Sequence, residues 1–192
     1  MKLKKFNFKI VNSTNDLAIQ IIKNTNNKSG IIIAEKQKKG RGQYGRKWTS
    51  FKGNLFVSIF FQVNKIKLSL KDLTKINCFL VKKFLSNFYK GKITIKNPND
   101  LLISNMKISG ILQETLSKSD EKFIIVGIGV NLIKNPIIKN YFTTNLFDLS
   151  GVKITPKDAS LKLKKIYEFF IPMLPKFNIK NLDRNLKWLL LV

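Results

Sequence analysis

The sequence predicts an α/β (α+β) domain with a mixed, largely antiparallel sheet flanked by helices. Helical patterns interrupt strand patterns early in the chain, a run of adjacent strands follows later, and no internal repeat or linker divides it. The 192 residues suit one domain, because domains usually run about 100–200 residues. A chain of this size buries roughly 70% of its unfolded surface, and a hydrophobic fraction of 44% can supply the core.

Leu3–Val11 opens as a strand, with Phe6, Phe8 and Ile10 alternating against Lys and Asn. Ser13-Thr14-Asn15-Asp16 offers N-cap candidates, and Leu17, Ala18, Ile21 and Ile22 carry a helix to Asn24. Asn26–Gly30 breaks it, and Ile31–Ala34 is a short buried strand. A polar loop covers Lys36–Gly53, followed by a strand over Asn54–Val63. Ser69–Phe88 is the strongest helix, since Leu70, Leu73, Leu80 and Phe84 share one stripe. Lys92–Lys96 is a strand that stops at Pro98. A meander comes next: Leu101–Ile103 and Lys107–Leu116, then Lys122–Val130 after the polar turn Ser117–Glu121. Lys134–Ser150 reads as irregular. Pro156–Leu174 is the last helix, and Pro175–Val192 is a tail ending in apolar Trp188–Val192.

The net charge of +25 invites a nucleic-acid reading. The lysines are spread along the whole chain and arginine is scarce, so the charge reads as a drift of composition toward solvated lysine faces. The positive field still attracts anionic ligands and acidic partner proteins. With one cysteine, Cys78, and no histidine, an internal disulfide, a cysteine–histidine zinc site and a histidine-based triad are all excluded. Cys78 lies in an apolar helical pattern and reads as core. No apolar run reaches the ~18 residues of a membrane span, and a cytoplasmic protein is expected.

The chemistry is concentrated in a loop. Gly40-Arg41-Gly42-Gln43-Tyr44-Gly45 formally matches the dinucleotide fingerprint, but it leads into a strand and not a helix, so that reading fails. What remains is a glycine-framed loop bearing Arg41, Arg46 and Lys47, with Trp48 as an apolar wall. Arginine can clamp phosphate or carboxylate oxygens with parallel hydrogen bonds. Ser13-Thr14-Asn15 places small polar side chains at a helix N-terminus. A hairpin between Lys96-Asn97-Pro98-Asn99-Asp100 and Lys107-Ile108-Ser109-Gly110-Ile111-Leu112 would bring Asp100 and Lys107 together. Gly127-Ile128-Gly129-Val130-Asn131 ends a strand with two backbone-permissive positions and an amide.

Together these segments resemble the catalytic domain of the biotin protein ligases. The family signs are S-T-N, a Q-x-x-G-R-G-x-x-G-R-x-W loop, K-W-P-N-D, K-x-x-G-I-L and G-x-G-x-N. Here they stand in the same order as Ser13–Asn15, Gln37–Trp48, Lys96–Asp100, Lys107–Leu112 and Gly127–Asn131. The resemblance spans Phe8 to Leu132 and implies a class II synthetase-like fold. It assigns residues 1–150 to the catalytic domain and 151–192 to a C-terminal helix and shortened tail packed on it. No N-terminal winged helix and no full C-terminal barrel are expected. Asn97 replaces the usual Trp, Ser109 replaces a small Gly or Ala, and Gln43 stands where many members carry another Arg, which implies a weaker hold on the adenylate phosphate.

The activity implied is ATP-dependent formation of biotinyl-AMP and transfer of biotin to a lysine of a biotin carboxyl carrier domain. The substrates are biotin and ATP, with Mg²⁺ as cofactor. No general base is needed first, because a carboxylate is already ionised at pH 7. The resemblance makes Lys107 the main catalytic cation and gives Arg41 loop ordering and oxygen pairing. Ser13, Thr14, Asn15 and Gln37 are implied to bind the ureido ring, with Gly42, Gln43 and Gly110 beside biotin. Arg46, Trp48, Asn99 and Asn131 fall to the adenylate. Asp100 is implied to hold Mg²⁺ or to orient the incoming lysine. A homodimer is compatible, and no specific DNA binding is expected. The rivals are a lipoate–protein ligase or octanoyl transferase, which lack the glycine–arginine loop and the Pro-Asn-Asp segment, and a basic nucleic-acid-binding module.

Overall fold

The structure, a computed structural model, describes residues 1–139 and 141–177. The strands are β1 (Lys4–Val11), β2 (Ser29–Gln37), β3 (Leu55–Gln62), β4 (Ile93–Lys96), β5 (Asp100–Ile103), β6 (Met106–Lys118) and β7 (Glu121–Val130). The helices are α1 (Thr14–Asn24), α2 (Leu70–Ser86), α3 (Leu146–Ser150) and α4 (Pro156–Phe170), with 3-10 turns at Gln43–Gly45 and Ile171–Lys176. The strands form one mixed sheet in the order β1-β2-β3-β7-β6-β5-β4. β1 runs parallel to β2 and the other neighbours are antiparallel, as expected.

Each helix starts where the sequence supplies a cap. Ser13, Ser69, Asn145 and Thr155 accept the backbone N–H of Asp16, Asp72, Asp148 and Asp158, and such a cap contributes about 1 kcal/mol. The carboxylate in each first turn also favours the helix dipole. α2 buries Leu73, Ile76, Leu80, Val81 and Phe84 along one stripe. With α4 it covers one sheet face, meeting Leu55, Val57 and Ile59 of β3 and Val126, Ile128 and Val130 of β7. Truncating Phe84, which is fully buried, to alanine would cost roughly 3–5 kcal/mol. On the other face α1 packs Ala18 and Ile22 on Ile32, Phe60, Phe123 and Ile125. α1 covers only one end of that face, and the uncovered end holds the cleft described below.

Several boundaries differ from the sequence reading. β2 is longer than Ile31–Ala34 and takes Lys36 and Gln37 out of the expected loop, because its end pairs with Ile10 and Val11 of β1. The alternation of Phe6, Phe8 and Ile10 does not mark a buried face. β1 is an edge strand, and Phe8 and Ile10 remain 37% and 55% exposed. The last helix stops at Phe170 and continues as a 3-10 turn, since Pro172 and Pro175 lack the N–H an α-helix would use. Lys134–Ser150 contains α3, whose Asn145 cap was not read. Leu163, Tyr167, Phe170 and Leu174 lie in the main core. Trp188–Val192 lies outside the described residues. Cys78 is buried as expected, and burial, then the charge of Asp100, pushes its thiol up to about 12. No helix among the described residues is long and apolar enough to cross a membrane.

Candidate active site

A cleft of about 620 Å³ opens on the sheet face that α1 leaves uncovered. Every residue given a site role from the sequence lines it: Ser13, Thr14, Asn15 and Gln37 at one end, Arg41, Gly42, Gln43, Arg46 and Trp48 from the loop, and Asn99, Asp100, Lys107, Gly110 and Asn131 from the meander.

A bulge aims Lys107. In the β5–β6 ladder Leu101 pairs with Ser109 while Leu102 pairs with Lys107, so one extra residue sits on β6. Cross-strand partners share a face, and side chains alternate along a strand. The extra residue therefore puts Lys107 and Gly110 on the same face although they are three apart. Lys107 Nζ lies 2.7 Å from Asp100 Oδ1, an ion pair without hydrogen-bond alignment. Both side chains are mostly buried, at 20% and 16% exposed. The Tyr141 hydroxyl donates to Asp100 Oδ2 at 2.7 Å. Burial, then the bond to Asp100, raises the Tyr141 hydroxyl above its ordinary value. Lys107 Nζ also stands 5.3 Å over the Trp48 ring and 5.6 Å over that of Tyr141.

The glycines of β6 and β7 make room for side chains. None of Gly110, Gly127 and Gly129 has a positive φ; their value is steric and not conformational. A Cβ on Gly129 would stand 2.4 Å from the Trp48 indole, and one on Gly110 2.8 Å from it and 3.0 Å from Lys107. One on Gly127 would meet Asn15 Oδ1 at 2.4 Å. Gly110 thus seats Trp48 and Lys107, where the sequence reading gave it close approach to ligand. The indole Nε1 is buried with no acceptor among the described residues.

At the α1 end, Gln37 Oε1 accepts from the Thr14 backbone N–H at 2.8 Å and from its hydroxyl at 3.0 Å. The Gln37 amide N–H groups remain to donate. Asn15 is spent on the protein: its Oδ1 accepts from Ser58, and its Nδ2 donates to Leu112 O and Glu114. The ureido contact expected of Asn15 would have to displace one of these bonds. Asn99 Nδ2 is likewise bound to Ile111 O, and Asn131 Nδ2 to Thr144 O.

Arg41 was expected to order the loop and to pair with phosphate or carboxylate oxygens; the oxygens it meets belong to the protein. Its guanidinium meets Asp16 Oδ1 at 2.6 Å and both Glu114 oxygens at 3.0 and 2.8 Å. Burial alone would lower its pKa, but Glu114 and then Asp16 raise it instead. Arg46 and Lys47 of the loop, with Lys96 and Lys139, line the cleft without an ion pair to a carboxylate among the described residues.

Tyr141, Lys96, Lys139, Asp16 and Glu114 received no role from the sequence. Tyr141 stands in the stretch read as irregular. That stretch is pinned beside Lys107 by the bonds Lys107 N–H to Phe142 O and Thr144 N–H to Lys107 O, both 2.9 Å. The Asn145–Asp148 cap was the available signal that the stretch is ordered.

Asp100 is the one carboxylate lining the cleft among the described residues. Its two oxygens face Lys107 and Tyr141, and no group of three metal-ligating side chains occurs among the described residues. These residues do not fit a protein-built Mg²⁺ seat, and the metal role expected of Asp100 gains no support from its surroundings.

The model of the Biotin/lipoate A/B protein ligase family matches residues 7–131. The bifunctional ligase/repressor BirA of Salmonella typhimurium is 29% identical over 162 residues, 83% of this chain and 50% of that protein. The BirA of Escherichia coli is 34% identical over 126 residues, 64% of this chain and 39% of that protein. The chain thus spans half or less of the length of these relatives. Among solved structures, the biotin protein ligase of Aquifex aeolicus in complex with biotin and ATP superposes with a TM-score of 0.78 at 26% identity. That match covers 92% of this chain and 74% of the other. The chain belongs to the Biotin/lipoate A/B protein ligase family and has the class II synthetase-like fold of its biotin protein ligases.

Proposed function

We propose that this chain is an ATP-dependent biotin–protein ligase. The observation that carries the proposal is the Lys107–Asp100–Tyr141 cluster at the floor of a cleft whose α1 end offers Gln37 and Thr14 and whose rim offers cations with no carboxylate partner among the described residues. An acid with a polar ring would use the first end and a nucleotide triphosphate the second. The similarity to the Aquifex aeolicus enzyme, solved with biotin and ATP, favours biotin as that acid.

In the first step a carboxylate oxygen of biotin attacks the α-phosphorus of ATP, and the bond to pyrophosphate breaks. The carboxylate is ionised at neutral pH, so the protein's work is positioning and neutralising charge. Lys107 sits between the carboxylate and the α-phosphate, and Asp100 and Tyr141 fix its direction. Ser13, Thr14 and Gln37 hold the ureido group, with Gly42 and Gln43 beside it. Trp48 walls the adenylate, Arg46 and Lys47 take the phosphates, and Asn99 and Asn131 border the nucleotide. Mg²⁺ would be supplied with ATP as part of the substrate, where it would offset phosphate charge, and no residue of the cleft is assigned to hold it.

In the second step the amine of a lysine on a biotin carboxyl carrier domain attacks the acyl carbon, and AMP leaves. We place the reaction in the cytoplasm and propose no DNA-binding role. The test is ATP-dependent transfer to a purified carrier domain with biotin or lipoate supplied. Biotin on the carrier lysine is expected. Transfer of lipoate in preference would replace this function with that of the nearest rival.

A further inference from the structure

Resting on the ligase reading, we propose that Arg41 is a positioning residue, and that Asp16 and Glu114 are the partners through which it clips the loop over the acyl end of the cleft. One guanidinium is shared by two carboxylates, at 2.6 Å to Asp16 and at 2.8 and 3.0 Å to Glu114. Two negative charges against one positive leave the cluster net negative. An incoming carboxylate or phosphate would meet repulsion there, and would have to displace a carboxylate to reach Nη2, whose two N–H groups are both taken. Arg46 and Lys47 pose no such obstacle.

The clip joins the parts whose spacing matters. Asp16 stands in the first turn of α1, next to Ser13–Asn15. Glu114 is on β6, the strand of Lys107, and its Oε2 also takes the Asn15 amide at 2.6 Å. Arg41 belongs to a short hairpin closed by Gly42 N–H to Arg46 O at 2.6 Å and Trp48 N–H to Gly40 O at 2.9 Å. Trp48, on the returning strand of that hairpin beside Gly40, lies against Gly129, Gly110 and Lys107. Fixing Arg41 to α1 and β6 therefore fixes the indole over the sheet and encloses a bound acyl group. Loss of the clip loosens retention of the ligand while Lys107 keeps its place through Asp100.

Two measurements on the full chain test this. The first is hydrogen exchange of the Gly42 and Trp48 amides without ligand. Glu114→Gln and Asp16→Asn should each speed it about three- to fivefold, the upper range for a partly exposed ion pair. Arg41→Ala should match or exceed either, and Arg41→Ala with Glu114→Gln should add little, because both break one tie. The second is biotin-dependent ATP–pyrophosphate exchange. In the Glu114→Gln variant KM for biotin should rise more than kcat falls, and Glu114→Asp should recover part of the loss. Unchanged exchange at both amides would overturn the clip. A loss of about a hundredfold in kcat for Arg41→Ala, with amide exchange unaltered, would make Arg41 a direct partner of the reacting atoms. Absence of any biotin-dependent activity in the unaltered protein would remove the ligase reading alone, since the amide measurement needs no ligand.

Discussion

Two sets of cations face the same cleft in different company. Arg41 and Lys107 are held by carboxylates, whereas Arg46, Lys47, Lys96 and Lys139 have no ion pair to a carboxylate among the described residues. A tied cation has its direction set before any ligand arrives: Lys107, held by one carboxylate, keeps the fixed direction a transition-state contact requires, whereas Arg41, held by two, is spent on the loop. An untied cation on the rim gives no fixed geometry, but no internal partner has to be displaced when an anion binds. The cleft thus separates positioning charge from binding charge.

The largest effect expected is at the tied, mostly buried lysine. Lys107→Ala should lower kcat for adenylate formation by about 10²–10³, the range for losing one preorganised donor, with the fold retained as read by circular dichroism. Near-normal pyrophosphate release by that variant would place Lys107 outside the mechanism.

A smaller effect should follow at its support. Tyr141→Phe leaves Asp100 Oδ2 without its donor, and kcat should drop about tenfold, equivalent to one hydrogen bond to a charged group. The pH dependence has a fixed sign. Burial and the bond to Asp100 raise the hydroxyl's pKa, so its contribution is fully present below the free tyrosine value of about 10. It is lost only as pH rises through the higher folded value. A rate profile between pH 7 and 10 should therefore show no decline that Tyr141→Phe abolishes.

The untied set should behave otherwise. Arg46→Ala and Lys47→Ala should raise KM for ATP about three- to tenfold with little change in kcat, as read by exchange assays at varied ATP. Lys96→Ala and Lys139→Ala should have the smallest effect, about twofold, and vanish above about 0.3 M salt, where screening is short-ranged. Comparable loss of kcat in both sets would erase the distinction.

The sequence exposed the two sets unequally. The nearness of Lys107 and Asp100 was legible because a hairpin between their segments could bring them together, and their roles came from the resemblance to the biotin protein ligases. The bulge that turns Lys107 toward Gly110 left no mark in the pattern, since it depends on pairing with β5. α1 was legible through its Ser13–Asp16 cap candidates and α2 through its apolar stripe, whereas the short α3 was not. β1 was legible as a strand from its alternation, which says which residues share a face, but not whether anything covers it. Arg41 was expected to order the loop and to pair with ligand oxygens; its protein partners were not legible because Asp16 and Glu114, 25 and 73 positions away, meet it only in three dimensions. Tyr141 had no periodicity around it; backbone bonds to Lys107 place it, and those are invisible in side-chain patterning.

The most direct measurement is biotin-dependent ATP–pyrophosphate exchange in the unaltered protein, in Lys107→Ala and in the Arg46→Ala, Lys47→Ala double variant. The account predicts exchange that requires biotin and is not supported by lipoate, a collapse of kcat in the first variant, and a raised KM for ATP with kcat largely kept in the second. Exchange indifferent to biotin, or a kcat collapse in the double variant with Lys107→Ala near normal, would contradict it.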